Sequence, residues 1–176
     1  MEEIITARLH IGEISKKDIQ GITETNDEQR VIRYLDSLSE TDKDTIFQDL
    51  SEVRRIMDRF SCIVNSEKTL SFGAWAEDNL IGYIQLANYE DPVPELQIEI
   101  ASCYHKQGYG YEFLTEVLRY LFHTYQFLSI GYSVMPDNIA SIRLVEKVGG
   151  VLQKPASRAE ELLFRSYLIQ RKNEGL

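Results

Sequence analysis

Residues 95–112 gather the groups in this chain that could do chemistry together. In Glu95-Leu96-Gln97-Ile98-Glu99-Ile100, strict alternation places Leu96, Ile98 and Ile100 on one face of a strand and Glu95, Gln97 and Glu99 on the other. Two carboxylates on one strand face suit general acid–base work where that face lines a cleft; a strand wetting its polar side is the alternative reading. The turn Tyr104-His105-Lys106-Gln107-Gly108-Tyr109-Gly110-Tyr111-Glu112 then opens an amphipathic helix. The first N–H groups of a helix lack intrahelical partners and carry partial positive charge, so such a start suits a phosphate or pyrophosphate. Gly108 and Gly110 let backbone approach an anion closely, and Lys106 could add charge at the rim. A tight turn that holds nothing would use the same residues.

Two glycine patterns are excluded. No G-x-x-x-x-G-K-[ST] stretch occurs, and Phe113 stands where the third glycine of G-x-G-x-x-G would be. Further along lies Pro136-Asp137-Asn138-Ile139-Ala140-Ser141-Ile142-Arg143-Leu144-Val145-Glu146-Lys147-Val148-Gly149. Asn138, Ser141 and Val145 share one helical face by their spacing, and Asn138 suits an N-cap. Ser141 reads either as a serine bonded to local backbone or as a hydroxyl available to chemistry. His10, His105 and His123 are scattered without metal or triad spacing, so no metal site is expected. Cys62 and Cys103 form no framework, and Cys103 reads as an inert thiol.

The elements that must position these groups follow from periodicity. Ile5 to Ile11 reads as a strand, and Ser15 with Asp18 has capping-box spacing, flanked by Ile14 and Ile19 at staple positions. Thr25 with Glu28 repeats the pattern before Val31, Leu35 and Leu38. Thr41 with Asp44 repeats it before Ile46, Leu50, Val53, Met57 and Phe60, one apolar helix face. Leu70 to Ala76 and Leu80 to Leu86 read as a hairpin across Glu77-Asp78-Asn79, and Glu95 to Ala101 as a third strand. After the glycine turn, Leu114, Val117, Leu118, Leu121, Phe122 and Tyr125 mark a helix. Phe127 to Val134 reads as a strand, Asn138 to Val148 as a helix stopped by Gly149-Gly150, and Leu162 to Ile169 as a last strand before a tail expected to fray. The expectation is one mixed α/β (α+β) domain over residues 1–176, with antiparallel hairpins and a parallel strand-helix-strand unit near its middle.

Composition bounds the class of function. Hydrophobic residues make up 43% and charged residues 27%, which is ordinary for a globular chain. No stretch approaches the roughly 18 apolar residues of a membrane span. The opening Met1-Glu2-Glu3 carries no secretory pattern, so a cytoplasmic protein without a membrane partner is expected. With 28 Asp+Glu against 19 Lys+Arg, nucleic-acid binding is disfavoured. The acidic surface would keep the protein soluble, or could draw in a cationic amine.

Together these segments resemble the GNAT superfamily of acetyl-CoA-dependent N-acyltransferases. His105-Lys106-Gln107-Gly108-Tyr109-Gly110 is similar to its Q/R-x-x-G-x-G/A signature, with His105 where Gln or Arg is usual. Pro136, Asn138, Ser141, Arg143, Glu146, Lys147 and Gly149 match the P-x-N-x-x-S-x-R-x-x-E-K-x-G segment of the branch that contains ribosomal-protein N-terminal acetyltransferases. Thr6-Ala7-Arg8-Leu9 resembles that branch's first strand.

The resemblance implies a mostly antiparallel sheet with a splayed parallel pair in the middle and helices on both faces. It implies acetyl-CoA as co-substrate. The pantetheine arm would run along Ile100, Ala101 and Ser102, where a backbone N–H would polarise the thioester carbonyl. The pyrophosphate would lie on the amides of Gln107, Gly108, Tyr109, Gly110 and Tyr111, and His105, Lys106, Asn138 and Ser141 would also contact the cofactor. Glu95 aligns with the general base of many relatives, and Glu99 is the fallback. Relatives commonly carry a tyrosine acid at the position of Val145, which leaves Ser141 as the nearest hydroxyl. The implied reaction is acetyl transfer to a primary amine, a protein N-terminus or a small molecule, by direct attack within a ternary complex. Dimers are common in the family, and a homodimer is carried as an expectation. The changes at His105 and Val145 keep a second reading open, a noncatalytic acyl-CoA-binding regulatory module.

Overall fold

A computed structural model describes residues 3–19, 27–48, 54 and 68–171. The described strands are β1 (Ile4–Ile5), β2 (His10–Glu13), β3 (Thr69–Ala76), β4 (Asn79–Ala87), β5 (Glu95–Ile100), β6 (Ser129–Val134), β7 (Gly150–Leu152) and β8 (Arg165–Gln170). The described helices are α1 (Lys16–Ile19), α2 (Asp27–Ser37), α3 (Glu40–Gln48), α4 (Tyr109–Thr124), α5 (Ile139–Lys147) and α6 (Arg158–Leu163). The strands make one eight-stranded sheet in the order β1-β2-β3-β4-β5-β6-β8-β7. All neighbours pair antiparallel except β5 and β6. Those two are parallel, with the single register pair Glu95–Gly131.

Alternation along the strands sorts the helices onto two faces. Ile84, Leu96, Ile130, Tyr132 and Val134 join a core with Phe113, Leu114, Val117, Leu118 and Leu121 of α4 and Ile142 and Val145 of α5. Tyr83, next to Ile84 on β4, points the other way and packs against Ile19 of α1, with Ile14 and Leu80 beside them. A further cluster joins Tyr34, Ile46 and Met135 to Leu162, Leu163 and Phe164.

Several expected elements differ in detail. The strand expected from Ile5 to Ile11 is broken by a turn in which Thr6 and Leu9 bond each other, so β1 and β2 form a small hairpin. The cap expected at Thr41 lies at Ser39, whose hydroxyl accepts from the Asp42 N–H at 3.2 Å, and α3 starts at Glu40. The Thr25 start, and the helix face beyond Gln48, fall outside the described residues, apart from Arg54.

The last expected strand, Leu162 to Ile169, needs the larger correction. Ser157 caps α6 by accepting from the Glu160 N–H at 3.0 Å, so Leu162 and Leu163 end a helix and β8 begins at Arg165. The apolar run Leu162-Leu163-Phe164 had masked this start signal. Strand β7 follows directly on the left-handed Gly149 (φ 95°), which ends α5 as expected.

Candidate active site

The sheet opens at Glu95–Gly131. There the Gly131 N–H donates to the Pro94 carbonyl at 2.8 Å, while on the other side of β5 the Ala101 N–H donates to Ile81 at 2.8 Å. Successive strand residues direct their main chain to alternate sides, so Ile98 and Ile100 face the gap that opens towards β6. Ala101, expected beside a ligand, has its N–H turned to β4. The ring Nε2 of His105 lies 2.7 Å from the Ile100 carbonyl on the gap side.

Beyond the strand end, Ser102–Tyr104 forms a short 3-10 turn, and the chain reaches α4 through alternating signs of φ. Lys106 (φ 61°) and Gly108 (φ 86°) are left-handed, with Gln107 between them. Such alternation curls successive N–H groups into a concavity that accepts anions. Gly108 is the N-cap of α4, and the Glu112 N–H makes the first helical bond back to it at 3.2 Å. The N–H groups of Tyr109, Gly110 and Tyr111 therefore precede the helix's own bonding. A Cβ on Gly110 would stand 3.6 Å from Ile100 and from Leu144, which marks where β5, α4 and α5 converge. Cys103 is exposed, and its carbonyl accepts from the Gln107 amide at 2.9 Å.

Across the gap, Asn138 caps α5 by accepting from the Ser141 N–H at 3.3 Å, the role its type predicts. The Ser141 hydroxyl pairs with the phenol of Tyr132, at 2.5 Å. Val145 is wholly buried, with its Cγ2 2.6 Å from where a Gly150 Cβ would be. That position belongs to the core, and the hydroxyl that meets Ser141 comes from Tyr132 of β6.

On the opposite sheet face Glu95, Gln97 and Glu99 stand in the expected row. Glu99 accepts from the Tyr83 hydroxyl at 2.9 Å, and Gln97 donates to Gln85 at 2.5 Å. Glu95 is the more buried carboxylate, 9% exposed. It lines a pocket of about 450 Å³ with Gly131, Asn88, Asp91, Gln153, Lys154 and Glu160 among its walls. Glu99 is not among those lining residues. Asp91 lies between β4 and β5, while Lys154 and Glu160 lie between β7 and β8, parts of the chain where the sequence shows no motif.

Four residues around the candidate site were not legible as part of it. Tyr132 meets Ser141 through a tertiary contact that no local pattern announces. Gly131 left a trace, since a glycine inside a strand signals close approach of another group. Thr6 and Arg8 lie in the segment matched to a first strand, yet both reach α4: Thr6 donates to Glu112 Oε1, and Arg8 Nε donates to Oε2 at 2.8 Å. Burial pushes the Glu112 carboxyl up, but the Thr6 and Arg8 hydrogen bonds and the Arg8 charge outweigh it and hold the group below the ordinary glutamate range.

Among known proteins, the acetyltransferase (GNAT) domain family matches residues 8–151. No curated protein matches the chain. Solved structures that share its fold include spermidine N-acetyltransferase from Vibrio cholerae in complex with CoA and spermine, with 19% identity, TM-score 0.61, and 94% of this chain and 96% of that one covered. An acetyltransferase (GNAT family) from Bacillus anthracis shows 21% identity and TM-score 0.61, covering 96% and 98%. An acetyltransferase from Agrobacterium tumefaciens shows 17% identity and TM-score 0.62, covering 97% and 95%.

Proposed function

The chain belongs to the GNAT acetyltransferase family, and from that premise we propose that it transfers the acetyl group of acetyl-CoA to a primary amine. The observation that carries this reading is the gap between β5 and β6 beyond Glu95–Gly131, with the φ-alternating turn and start of α4 at its end. The residues present fit the cofactor. Gly108 holds a backbone conformation that favours glycine, and the amides of Tyr109, Gly110 and Tyr111 stand ahead of the helix's own bonds. Acetyl-CoA supplies an activated thioester.

The chain's own groups divide the remaining work. Ile98 and Ile100 direct main chain into the gap, where an N–H can hold the thioester oxygen. Glu95 faces the pocket through which an amine would arrive. A primary alkylamine with a pKa near ~10.4 is mostly protonated at neutral pH, so it needs a base, which typically contributes about 10²–10⁴-fold. Asp91 and Glu160 beside Glu95 favour a cationic acceptor over an anionic one, with Lys154 the opposing charge in the wall. Ser141, backed by Tyr132, lies on the other side of the sheet and is the hydroxyl pair available to protonate the departing thiolate.

Thiol release from acetyl-CoA across a panel of polyamines, amino acids, aminoglycosides and peptides with free N-termini tests the reading. Turnover on at least one amine, with Glu95→Gln lowering kcat far more than acetyl-CoA binding, is the expected result. Acetyl-CoA should also raise the melting temperature where NAD and ATP do not. Cofactor binding with silence over the whole panel would favour the noncatalytic acyl-CoA-binding module.

A further inference from the structure

A carboxylate in the first turn of α4 works against an anion held at that helix start, and Glu112 is such a carboxylate, its N–H bonded to Gly108. We propose that Arg8 is a positioning residue for the cradle, which both neutralises Glu112 and aims the turn's amides; the inference rests on reading residues 105–111 as the CoA pyrophosphate site.

The guanidinium meets three groups of the cradle at once. Its Nε and Nη2 form a fork on Glu112 Oε2, Nη1 donates to the Gln107 carbonyl at 2.9 Å, and its central carbon lies 4.5 Å over the Tyr109 ring. The bond to Gln107 has a geometric consequence. In a planar trans peptide the C=O and the following N–H point in opposite directions. Holding the Gln107 oxygen on the Arg8 side therefore turns the Gly108 N–H to the other side, into the concavity. A Cβ on Gly108 would come 3.4 Å from Arg8 Nη2, so the glycine also leaves the guanidinium its place.

Arg8 is itself held in position. The Thr6 hydroxyl accepts from the N–H groups of Arg8 at 3.2 Å and Leu9 at 2.8 Å, and donates to Glu112 Oε1. The turn between β1 and β2 thus carries a hydrogen-bonded cation to a site more than a hundred residues away in sequence. It gives Thr6-Ala7-Arg8-Leu9 a role in cofactor binding beyond completing the sheet edge.

Calorimetric titration of the full chain with CoA tests the proposal on wild type, Arg8→Met, Arg8→Lys, Glu112→Gln and the Arg8→Met/Glu112→Gln double variant. Arg8→Met is expected to weaken CoA at least about tenfold, equal to ~1.4 kcal/mol. Arg8→Lys, which keeps charge without the fork, should fall between Arg8→Met and wild type. Glu112→Gln should bind CoA as well as wild type or better, and the double variant should recover part of the Arg8→Met loss, which a simple structural brace would not do. Wild-type affinity in Arg8→Met, or no recovery in the double variant, would overturn the proposal. If Arg8→Met fails to fold, Glu112→Gln decides: weaker CoA binding there overturns it. Failure of the wild type itself to bind CoA would sink the cofactor reading instead.

Discussion

The carboxylate of Glu95 occupies the space that a side chain at residue 131 would need: a Cβ on Gly131 would stand 2.1 Å from Glu95 Oε2. The two residues are also the register pair from which β5 and β6 part. The absence of a side chain on β6 therefore sets where the proposed base rests, at the vertex of the opening.

Gly131→Ala is expected to move that carboxylate while leaving the sheet intact, because the atom in the way is the far end of a flexible side chain. Turnover should fall towards the level of Glu95→Gln, about 10²-fold or more. Melting temperature and CoA affinity should stay near wild type. Full turnover in Gly131→Ala would show that Glu95 need not sit at the vertex, and Glu99 would then become the better candidate.

Tyr132→Phe removes one hydroxyl of the Tyr132–Ser141 pair and keeps the buried ring. If the two act as one unit, kcat should fall about tenfold with acetyl-CoA KM little changed, and Tyr132→Phe/Ser141→Ala should be no slower than the worse single variant. Steady-state kinetics of the three variants checks this. Losses that multiply would mean that the hydroxyls work independently.

The folded Glu112 carboxyl lies below the ordinary range, which fixes a sign. A carboxylate with a lowered folded pKa contributes stability above its unfolded value near ~4.3, and that contribution is lost as pH falls through the folded value. Urea midpoints measured from neutral pH down through that window should therefore drop less steeply in Glu112→Gln than in wild type. Parallel curves would show that the Thr6–Arg8–Glu112 contacts do not couple to folding.

The parts of the fold readable from sequence were those carried by local physics. Alternation from Glu95 to Ile100, the cap at Asn138 and the stop at Gly149 each depend on neighbours a few residues away, and each stands where its pattern puts it. What stayed hidden was decided at long range. Leu162-Leu163-Phe164 is apolar enough for a strand, yet the Ser157 cap and the packing of Leu162 and Leu163 beside Tyr34 and Ile46 make it the end of a helix. The same holds at the site. The glycine turn is readable as the proposed cradle, but nothing near it in sequence shows the bonds from Arg8 to Gln107 and Glu112 or the Tyr132–Ser141 pair.

The hydroxyl of Tyr34 donates to the carbonyl of Leu162, joining α2 to the last turn of α6. That carbonyl is among the last of a helix, with no partner inside it, and the contact is buried. Burial first, then the negative charges of Asp137 and Asp42, push the Tyr34 phenol above its ordinary value, which favours the protonated, donating form. Tyr34→Phe leaves a buried acceptor unmet, which should cost about 1–3 kcal/mol of stability. Because Glu160 of α6 walls the pocket beside Glu95, loosening α6 should also raise KM for the amine while leaving acetyl-CoA KM unchanged. Urea denaturation reads the first effect and the ratio of the two KM values reads the second. An equal rise in both would mean that α6 braces the whole molecule rather than the acceptor pocket.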